Sequence, residues 1–379
     1  MEPRFGEFVP GQTRPMMAMV EITNRCNMDC PVCFSDANHP AHDVPLAEVR
    51  RRLERLLAVT RTPVPIQISG GEPTVHRELP AIVALARQLG YRNVELITNG
   101  IRIAQRPALL AELAAAGLTA VYLQFDGLRR ATYQALRGQD MTAVRAGAIA
   151  AAREARLCVT LAVAVARGVN DDELGDVVRF ALAHIDTVRA VNFQSATRFR
   201  GRFDLDAAGD GYALPELLQL IERQAGVPAD SFRSEHMGHP RCNAMSYLFV
   251  VDGRVEPLFR YISRDDMLAF LGDDARDTVL DLFAGKAAFF ARHLCRPDAW
   301  KLLAKAAPIF GYDPRNVLRS QHLLLFAKSF MERDALEPER VGGCAYGISG
   351  ADGVYSFCAF NNLYRFPERA APRRAAAPA

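Results

Sequence analysis

The sequence predicts an α/β protein built as an open or partial (β/α)6 barrel of the TIM type, followed by an α+β extension. Between residues 17 and 194, six short apolar runs alternate with helix-length segments, which indicates repeated β-α units and a parallel sheet. Six units are too many for a small flavodoxin-like sheet and too few for a closed eight-stranded barrel. At roughly 100–200 residues per domain, 379 residues also leave room for a second region.

The predicted elements follow in order along the first half of the chain. The six strands are expected at residues 17–23, 66–69, 94–98, 120–125, 159–165 and 190–194. Amphipathic or apolar patterns predict helices at 46–59, 78–89 and 107–116, the last ending at Gly117 as a C-cap. In such sheets the chemistry lies in the loops after the carboxyl ends of the strands.

Beyond about residue 200 the pattern changes. Residues 248–262 indicate a hairpin turning at Asp252-Gly253, and helices are expected at 275–294 and 317–330. An Ala/Pro/Arg-rich tail predicts disorder. We therefore divide the chain into an N-terminal segment (1–16), the barrel (17–205), the extension (206–366) and the tail (367–379).

Composition narrows the class of protein. Half of the residues are hydrophobic and 23% are charged, so a large core is expected. A net charge of +3 gives no support for a nucleic-acid partner. No secretory signal and no membrane-spanning run is recognisable, so we expect a cytoplasmic protein. In that compartment, eight cysteines favour metal or redox chemistry over disulfides.

Three cysteines follow the first strand closely. Cys26, Cys30 and Cys33 have the spacing C-x3-C-x2-C. Three thiolates on one loop can bind three irons of a [4Fe–4S] cluster and leave the fourth iron open to a substrate or cofactor. The alternative is a zinc site, but the nearest histidines, His39 and His42, do not have the spacing of a zinc knuckle.

This triplet resembles the signature of the radical S-adenosylmethionine (radical SAM) superfamily. The resemblance covers about residues 17–194 and includes Gly70-Gly71-Glu72-Pro73 after the second strand, where the family has its GGEP motif. It implies that Glu72 accepts a hydrogen bond from the methionine amine. It also implies that polar residues after the third and fourth strands contact the cofactor, namely Asn99, Gln124 and Asp126. Alternatively, Asn99-Gly100 forms a turn and Asp126 caps a helix.

The resemblance also implies the mechanism. In the family, an electron from the reduced cluster cleaves S-adenosylmethionine, and the resulting 5′-deoxyadenosyl radical abstracts a hydrogen atom from the substrate. An electron donor such as flavodoxin or ferredoxin is expected with it. Three arginines after the sixth strand are either surface residues or ligands of an anionic group: Arg198, Arg200 and Arg202. The sequence identifies no catalytic side chain.

A second set of cysteines lies in the extension. If Cys242, Cys344 and Cys358 are joined by Cys295, four thiolates could close an auxiliary [4Fe–4S] cluster. Cys295 follows a predicted helix and could equally be a packing residue. Cys158, at the start of the fifth strand, is expected to be a small core residue.

The extension resembles a subgroup of the superfamily that includes class D methylases acting on pterins and tetraether lipid synthases. The shared features are a His-Pro-x-Cys ending at Cys242, Asp252-Gly253, and the segment around Cys358. The resemblance implies methylation or C–C coupling at an unactivated C–H carbon of a pterin, lipid or other small molecule. The alternatives are a SPASM-like radical SAM oxidoreductase that modifies a peptide or small molecule, and a non-catalytic iron–sulfur or zinc module.

Overall fold

A computed structural model describes residues 3–12, 15–204, 211–234, 238–271 and 295–369. The predicted helix at 275–294 and most of the predicted disordered tail lie outside these ranges. None of the helices within them is both long and apolar enough to cross a bilayer.

Eleven of the thirteen strands found in the described ranges form one sheet, in the order β10-β9-β11-β7-β6-β5-β4-β3-β1-β12-β13. The strands are β1 (Met17–Thr23), β2 (Val32–Cys33), β3 (Ile66–Gly70), β4 (Val94–Thr98), β5 (Ala120–Gln124), β6 (Cys158–Val165), β7 (Val188–Ser195), β8 (Arg202–Phe203), β9 (Asn243–Val251), β10 (Arg254–Pro257), β11 (Gln321–Lys328), β12 (Tyr346–Ser349) and β13 (Val354–Ser356).

Helices connect the strands and cover the outer face of the sheet. They are α1 (Leu46–Thr60), α2 (Leu79–Gln88), α3 (Ile101–Gln105), α4 (Ala108–Ala116), α5 (Arg130–Arg137), α6 (Thr142–Glu154), α7 (Leu174–Ala183), α8 (Leu214–Ala225), α9 (Arg264–Leu271), α10 (Pro297–Ala306), α11 (Pro314–Arg319), α12 (Pro338–Gly342) and α13 (Phe357–Ala359). The predicted α/β class with a parallel sheet is confirmed, and all six predicted strands are present within one or two residues.

The main core lies between this sheet and the helices on its outer face. Helix α1 shows how the sequence produces it, because Val49, Leu53 and Leu56 recur at helical spacing and are all buried against the sheet. Helix α4 ends as predicted, with Gly117 in the left-handed conformation at φ 109°. The other face carries polar side chains near its centre and further apolar clusters towards its edges.

The C-terminal part extends the sheet at both edges. Strand β12 pairs with β1 in parallel, and β11 pairs with β7 in parallel. The parallel part of the sheet therefore has eight strands, two of them from beyond residue 205, and it is flanked by antiparallel β9 and β13. Residues on both sides of the predicted boundary at 205 belong to one sheet.

One prediction for this region is confirmed and another is wrong. The hairpin is present, since β9 and β10 turn at Asp252-Gly253. The expected helix at 317–330 is instead the short helix α11 followed by strand β11. All four residues of the run Leu323-Leu324-Leu325-Phe326 are apolar, so the run shows neither helical nor strand periodicity. Its position between β7 and β9 favours the strand conformation.

Candidate active site

A cavity of about 130 Å³ lies at the carboxyl ends of the parallel strands, where the chemistry is expected. The three cysteines after β1 all line it, together with the glycines after β3 and polar residues after β4 and β5. The predicted site residues on its wall are Cys26, Cys30, Cys33, Gly70, Gly71, Glu72, Asn99 and Gln124. The wall also includes Arg137 and Arg202.

Contacts to the backbone of each cysteine hold this triplet in place. The amide of Cys26 donates to Asn38 Oδ1 at 2.8 Å, and Asn38 Nδ2 donates back to the Cys26 carbonyl at 3.2 Å. The Arg202 guanidinium donates to the Cys30 carbonyl at 3.2 Å. Cys33 pairs with Arg202 in the two-stranded ribbon of β2 and β8. All three thiols are free of disulfide bonds.

The electrostatics of the cavity suit an anionic metal cluster. Burial raises the pKa of Cys26 to about 12 and also raises the pKa of Cys30, which Arg137 opposes. Thiol ligands must be deprotonated, so these cysteines need a cation, which a metal supplies. No three Cys, His, Asp or Glu side chains in the described ranges surround a single ion. A cluster differs from a single ion because each thiolate binds its own iron atom. The donor set therefore fits a [4Fe–4S] cluster.

Gly70 and Gly71 fix the loop that leads to the cysteines. A Cβ on Gly70 (φ 137°) would lie 2.0 Å from the Thr23 carbonyl oxygen, and one on Gly71 would lie 2.3 Å from that of Arg25. The space saved allows the Gly71 amide to donate to the Thr23 carbonyl at 2.9 Å. Besides lining the cavity, the glycines let the end of β3 approach the backbone just before Cys26.

Glu72 joins the ends of β3 and β4. Its carboxylate is 1% exposed and accepts from the Thr74 amide and hydroxyl, the Thr98 hydroxyl and the Asn99 amide at 2.6–3.1 Å. Burial raises its pKa, whereas these hydrogen bonds favour the charged form. Oε2 accepts from Asn99 alone among the described residues, so it retains acceptor capacity. Pro73 begins a short turn and does not line the cavity.

Arg145 supports two of the predicted cofactor-binding residues from behind. Its side chain donates to the Asn99 carbonyl and, at 3.0 Å, to Gln124 Oε1. Asn99 also donates to Asn27 in the cysteine loop at 2.7 Å. Arg145 is buried, burial lowers its pKa, and it lies 5.3 Å from the Tyr133 ring centroid. No motif marks Arg145 in the sequence, although it shares the helical spacing of the buried face of α6.

Asp126 does not line the cavity. Its carboxylate is 0% exposed and accepts from Arg137 Nε at 2.6 Å and Nη2 at 2.7 Å. Arg137 is 9% exposed and donates in addition to the Val32 carbonyl at 3.1 Å. The predicted capping role is wrong, because α5 begins only at Arg130. Asp126 instead orients an arginine that faces the cysteines.

The three arginines after β7 differ in their surroundings. Arg202 lines the cavity and forms ion pairs with Asp29 and, at 3.1 Å, with Asp36. Arg200 pairs with Asp334 at 2.8 Å. The Arg198 guanidinium lies 5.3 Å from the ring centroid of Phe203. Of the three, Arg202 lines this cavity.

Three of the four cysteines predicted for an auxiliary cluster are brought together. The charges of Cys242 and Cys344 both act on the pKa of Cys358, which burial raises. Arg340 Nε donates to Cys242 Sγ at 3.2 Å. Cys295 is exposed, and no interaction within the described ranges joins it to the other three. Cys158 is also exposed, so its predicted core position is wrong: it is the first residue of β6 and lies outside the packed interior.

An aromatic cluster connects the two sets of cysteines. Phe357, which precedes Cys358, lies 5.8 Å from Phe34, which follows Cys33, measured between ring centroids. Further rings surround Phe357 at 4.8–5.6 Å: Phe199, Phe330 and Tyr346. The residues adjoining the two sets are thus packed in one apolar cluster.

Comparisons with known proteins identify the family of the chain. The model of the radical SAM superfamily matches residues 20–181. A 7,8-dihydro-6-hydroxymethylpterin dimethyltransferase of Methanocaldococcus jannaschii is 28% identical over 92% of this chain and 77% of its own length. A GTP 3′,8-cyclase of Moorella thermoacetica is 30% identical over 72% of this chain and 88% of its own length.

Among solved structures, Streptococcus suis SuiB bound to S-adenosylmethionine is similar with a TM-score of 0.46 and 17% identity. That similarity covers 55% of this chain and 47% of SuiB. The family match and the relatives, taken with the α/β fold, show that the chain belongs to the radical SAM superfamily and is an enzyme that uses a [4Fe–4S] cluster and S-adenosylmethionine.

Proposed function

We propose that Cys26, Cys30 and Cys33 bind the [4Fe–4S] cluster and that the cavity beside them receives S-adenosylmethionine. The observation that carries this proposal is that all three free cysteines and the Gly70–Glu72 segment line one cavity. When bound, the cluster would supply the electron for reductive cleavage of S-adenosylmethionine, the radical chemistry by which the family activates a substrate C–H bond.

The residues of the chain bind and orient these groups. Glu72 Oε2 accepts from the methionine amine, while Asn99 and Gln124, supported by Arg145, contact other polar groups of the cofactor. Arg137 and Arg202 place two positive charges on the cavity wall. Although Arg137 is paired with Asp126, it still opposes the rise in the pKa of Cys30 and so favours the thiolate of that cysteine.

We further propose that the enzyme functionalises a C–H carbon of a small molecule, by methylation or C–C coupling. The pterin dimethyltransferase supports this, because its similarity extends over 92% of the chain and therefore includes the C-terminal region. The names of the two curated relatives point to a pterin and to GTP. A pterin and the guanine of GTP contain the same 2-amino-4-oxopyrimidine ring, so a substrate with this ring is the first candidate.

An auxiliary [4Fe–4S] cluster on Cys242, Cys344 and Cys358 completes the proposal. The charge of Cys242 acts on the pKa of both Cys344 and Cys358, and Arg340 donates to Cys242 Sγ. With Cys295 exposed, three cysteines are available to such a cluster from the described ranges. Hydrogen bonds to cluster sulfurs raise the reduction potential of a cluster, so the role of Arg340 would be to raise the potential of the auxiliary cluster.

Anaerobic reconstitution tests the proposal. The wild-type chain is expected to hold about eight irons and to form 5′-deoxyadenosine with dithionite and S-adenosylmethionine. Replacing Cys26, Cys30 and Cys33 together by alanine should remove about four irons and abolish 5′-deoxyadenosine formation. Cys158→Ala, at an exposed position, is the matched control. Cofactor cleavage by the triple variant would overturn the ligand assignment, and about four irons in the wild type would overturn the auxiliary cluster.

A further inference from the structure

The inner face of the parallel sheet continues below the cavity. Along β4, Val94 and Leu96 are buried in the main core, whereas Glu95 and Ile97 keep part of their surface accessible to water. Since successive residues of a strand point to opposite faces, Glu95 lies on the same face as Ile97, which lines the cavity. Two residues along a strand span about 7 Å, so Glu95 lies about that far below the cavity.

This inner surface carries polar side chains from six strands. We call them the lumen group: Gln67, Glu95, Tyr122, Asn192, Lys328 and Tyr346. Gln67 and Tyr122 stand two residues before Ser69 and Gln124, which line the cavity, so the lumen group forms the next layer inward. A core without function would place apolar side chains there.

Neighbouring residues use only some of the hydrogen-bond acceptor positions of the Glu95 carboxylate. Gln67 Nε2 donates to Oε2 at 2.5 Å, and Thr160 Oγ1 donates to Oε1 at 3.2 Å. Tyr346 donates its hydroxyl proton to Gln67 Oε1, which fixes the orientation of the Gln67 amide. A carboxylate has about four acceptor positions, so about two remain open on Glu95 for donors from a ligand.

Two further members of the group have unused hydrogen-bonding capacity. Lys328 has no hydrogen bond or ion pair to any residue in the described ranges, and its ammonium lies 4.9 Å from the ring centroid of Tyr346. Asn192 Oδ1 is buried without a hydrogen-bond partner, while its Nδ2 donates to the Tyr122 hydroxyl at 2.8 Å. Burial raises the pKa of Glu95, and hydrogen-bond donors from a ligand would favour its charged form.

We propose that Glu95 and Lys328 are specificity-determining residues that recognise the hydrogen-bonding edge of a nitrogen heterocycle inside the sheet. Glu95 accepts from two adjacent N–H groups, as on the 2-amino-4-oxopyrimidine ring, and Lys328 donates to an acceptor atom of the same ring. Asn192 Oδ1 is available to a further donor. The inference rests on the proposed function, because it places the substrate directly below the proposed cofactor cavity.

The same contacts disfavour a lipid chain. Hydrocarbon beside the lumen group would leave Asn192 Oδ1 without a partner, and it could not use the open acceptor positions of Glu95 or the N–H groups of Lys328. Burying polar groups whose hydrogen bonds are not satisfied is unfavourable. A flat ring with donors and acceptors on its edge satisfies them instead. Between the lipid and pterin substrates that the subgroup resemblance implies, the lumen group therefore favours the heterocycle.

Binding to the anaerobically reconstituted enzyme tests this inference. The probes are a 6-hydroxymethylpterin, its analogue without the 2-amino group, GTP and palmitate, measured by fluorescence or calorimetry. We expect the wild type to prefer the pterin or GTP over the deaminated analogue by about 10- to 100-fold, the usual effect of losing a hydrogen bond to a charged group. Glu95→Gln should bring this ratio close to one, and the exposed Glu54→Gln is the matched control.

Several outcomes would overturn the inference: equal wild-type affinity for the pterin and its deaminated analogue, an unchanged ratio in Glu95→Gln, or tighter binding of palmitate. If Glu95→Gln fails to fold, the ring comparison in the wild type and the loss of affinity in Lys328→Met decide. A wild type that cleaves S-adenosylmethionine without ring preference overturns this inference alone. A wild type that prefers the ring but does not cleave the cofactor overturns the proposed function.

Discussion

Asp126→Asn is expected to destabilise the protein strongly while hardly changing the shape of the side chain. The wild-type carboxylate is fully buried and forms two hydrogen bonds, of 2.6 and 2.7 Å, with the Arg137 guanidinium. The amide removes the negative charge and leaves a buried guanidinium without a counter-charge. Breaking a buried ion pair from one side costs about 3–5 kcal/mol, a factor of roughly 10² to 10³ or more in the folding equilibrium.

Urea unfolding of the apo chain, followed by circular dichroism, measures this change. The pair of Arg153 with Asp186 provides a matched control, because it has the same two-bond geometry with side chains that are 45% and 52% exposed. Solvent screens such a pair, so Asp186→Asn should cost under about 1 kcal/mol. Arg153 lowers the pKa of Asp186 to about 2, so even this contribution is present above the unfolded-state pKa and disappears as the pH falls through 2.

The double variant Asp126→Leu/Arg137→Met separates charge from packing. Replacing both partners by apolar residues of similar size removes the unpaired charge, so it should recover most of the stability lost in Asp126→Asn. Two results would refute the reasoning. One is a loss in Asp126→Asn no larger than in Asp186→Asn, and the other is a double variant less stable than Asp126→Asn.

Three further changes have defined expectations. Gly70→Ala should lower the free energy of unfolding in urea by more than about 3 kcal/mol, because its Cβ would lie 2.0 Å from the Thr23 carbonyl oxygen. Gly168→Ala, at φ 72° with open space around it, should cost only about 1–2 kcal/mol. Equal costs for the two variants would contradict the argument from close approach. Glu72→Gln replaces an acceptor oxygen by an NH₂ donor that faces buried N–H and O–H groups. It should lower the thermal unfolding midpoint by an amount equivalent to about 1–3 kcal/mol. An unchanged midpoint would contradict the four hydrogen bonds. Phe357→Ala should cost about 3–5 kcal/mol and weaken iron retention by both sets of cysteines; iron loss confined to one set would argue that the aromatic cluster does not join them.

The first half of the fold could be predicted because its signals are local. Strands such as Val94–Thr98 are bounded apolar runs, and each is followed by a helical pattern. The carboxyl ends of parallel strands meet at one edge, so the sequence alone predicts that Cys26, Gly70, Asn99 and Gln124 lie together, as they do on the cavity wall. The C-x3-C-x2-C spacing of Cys26, Cys30 and Cys33 predicts the cluster site.

What could not be predicted depends on distant partners. Strand β11 becomes a strand only because β7 and β9 flank it, and its own sequence does not distinguish it from a helix. The pairing of Asp126 with Arg137 and the position of Arg145 behind Gln124 likewise follow from packing. Glu95 could have been noticed, because a carboxylate alternating with buried Val94 and Leu96 lies on a polar inner face.

The pairing of the sheet edges has a consequence for how the chain folds during synthesis. Met17 in β1 pairs with Tyr346 in β12, and Ala190 in β7 pairs with Leu324 in β11. The ribosome therefore produces the six central strands well before either flanking partner exists, leaving both edges unpaired for roughly ten seconds or more. Exposed edges of this kind bind other strands readily. We thus expect the nascent chain to depend on chaperones, and expression of residues 1–205 alone to yield aggregates.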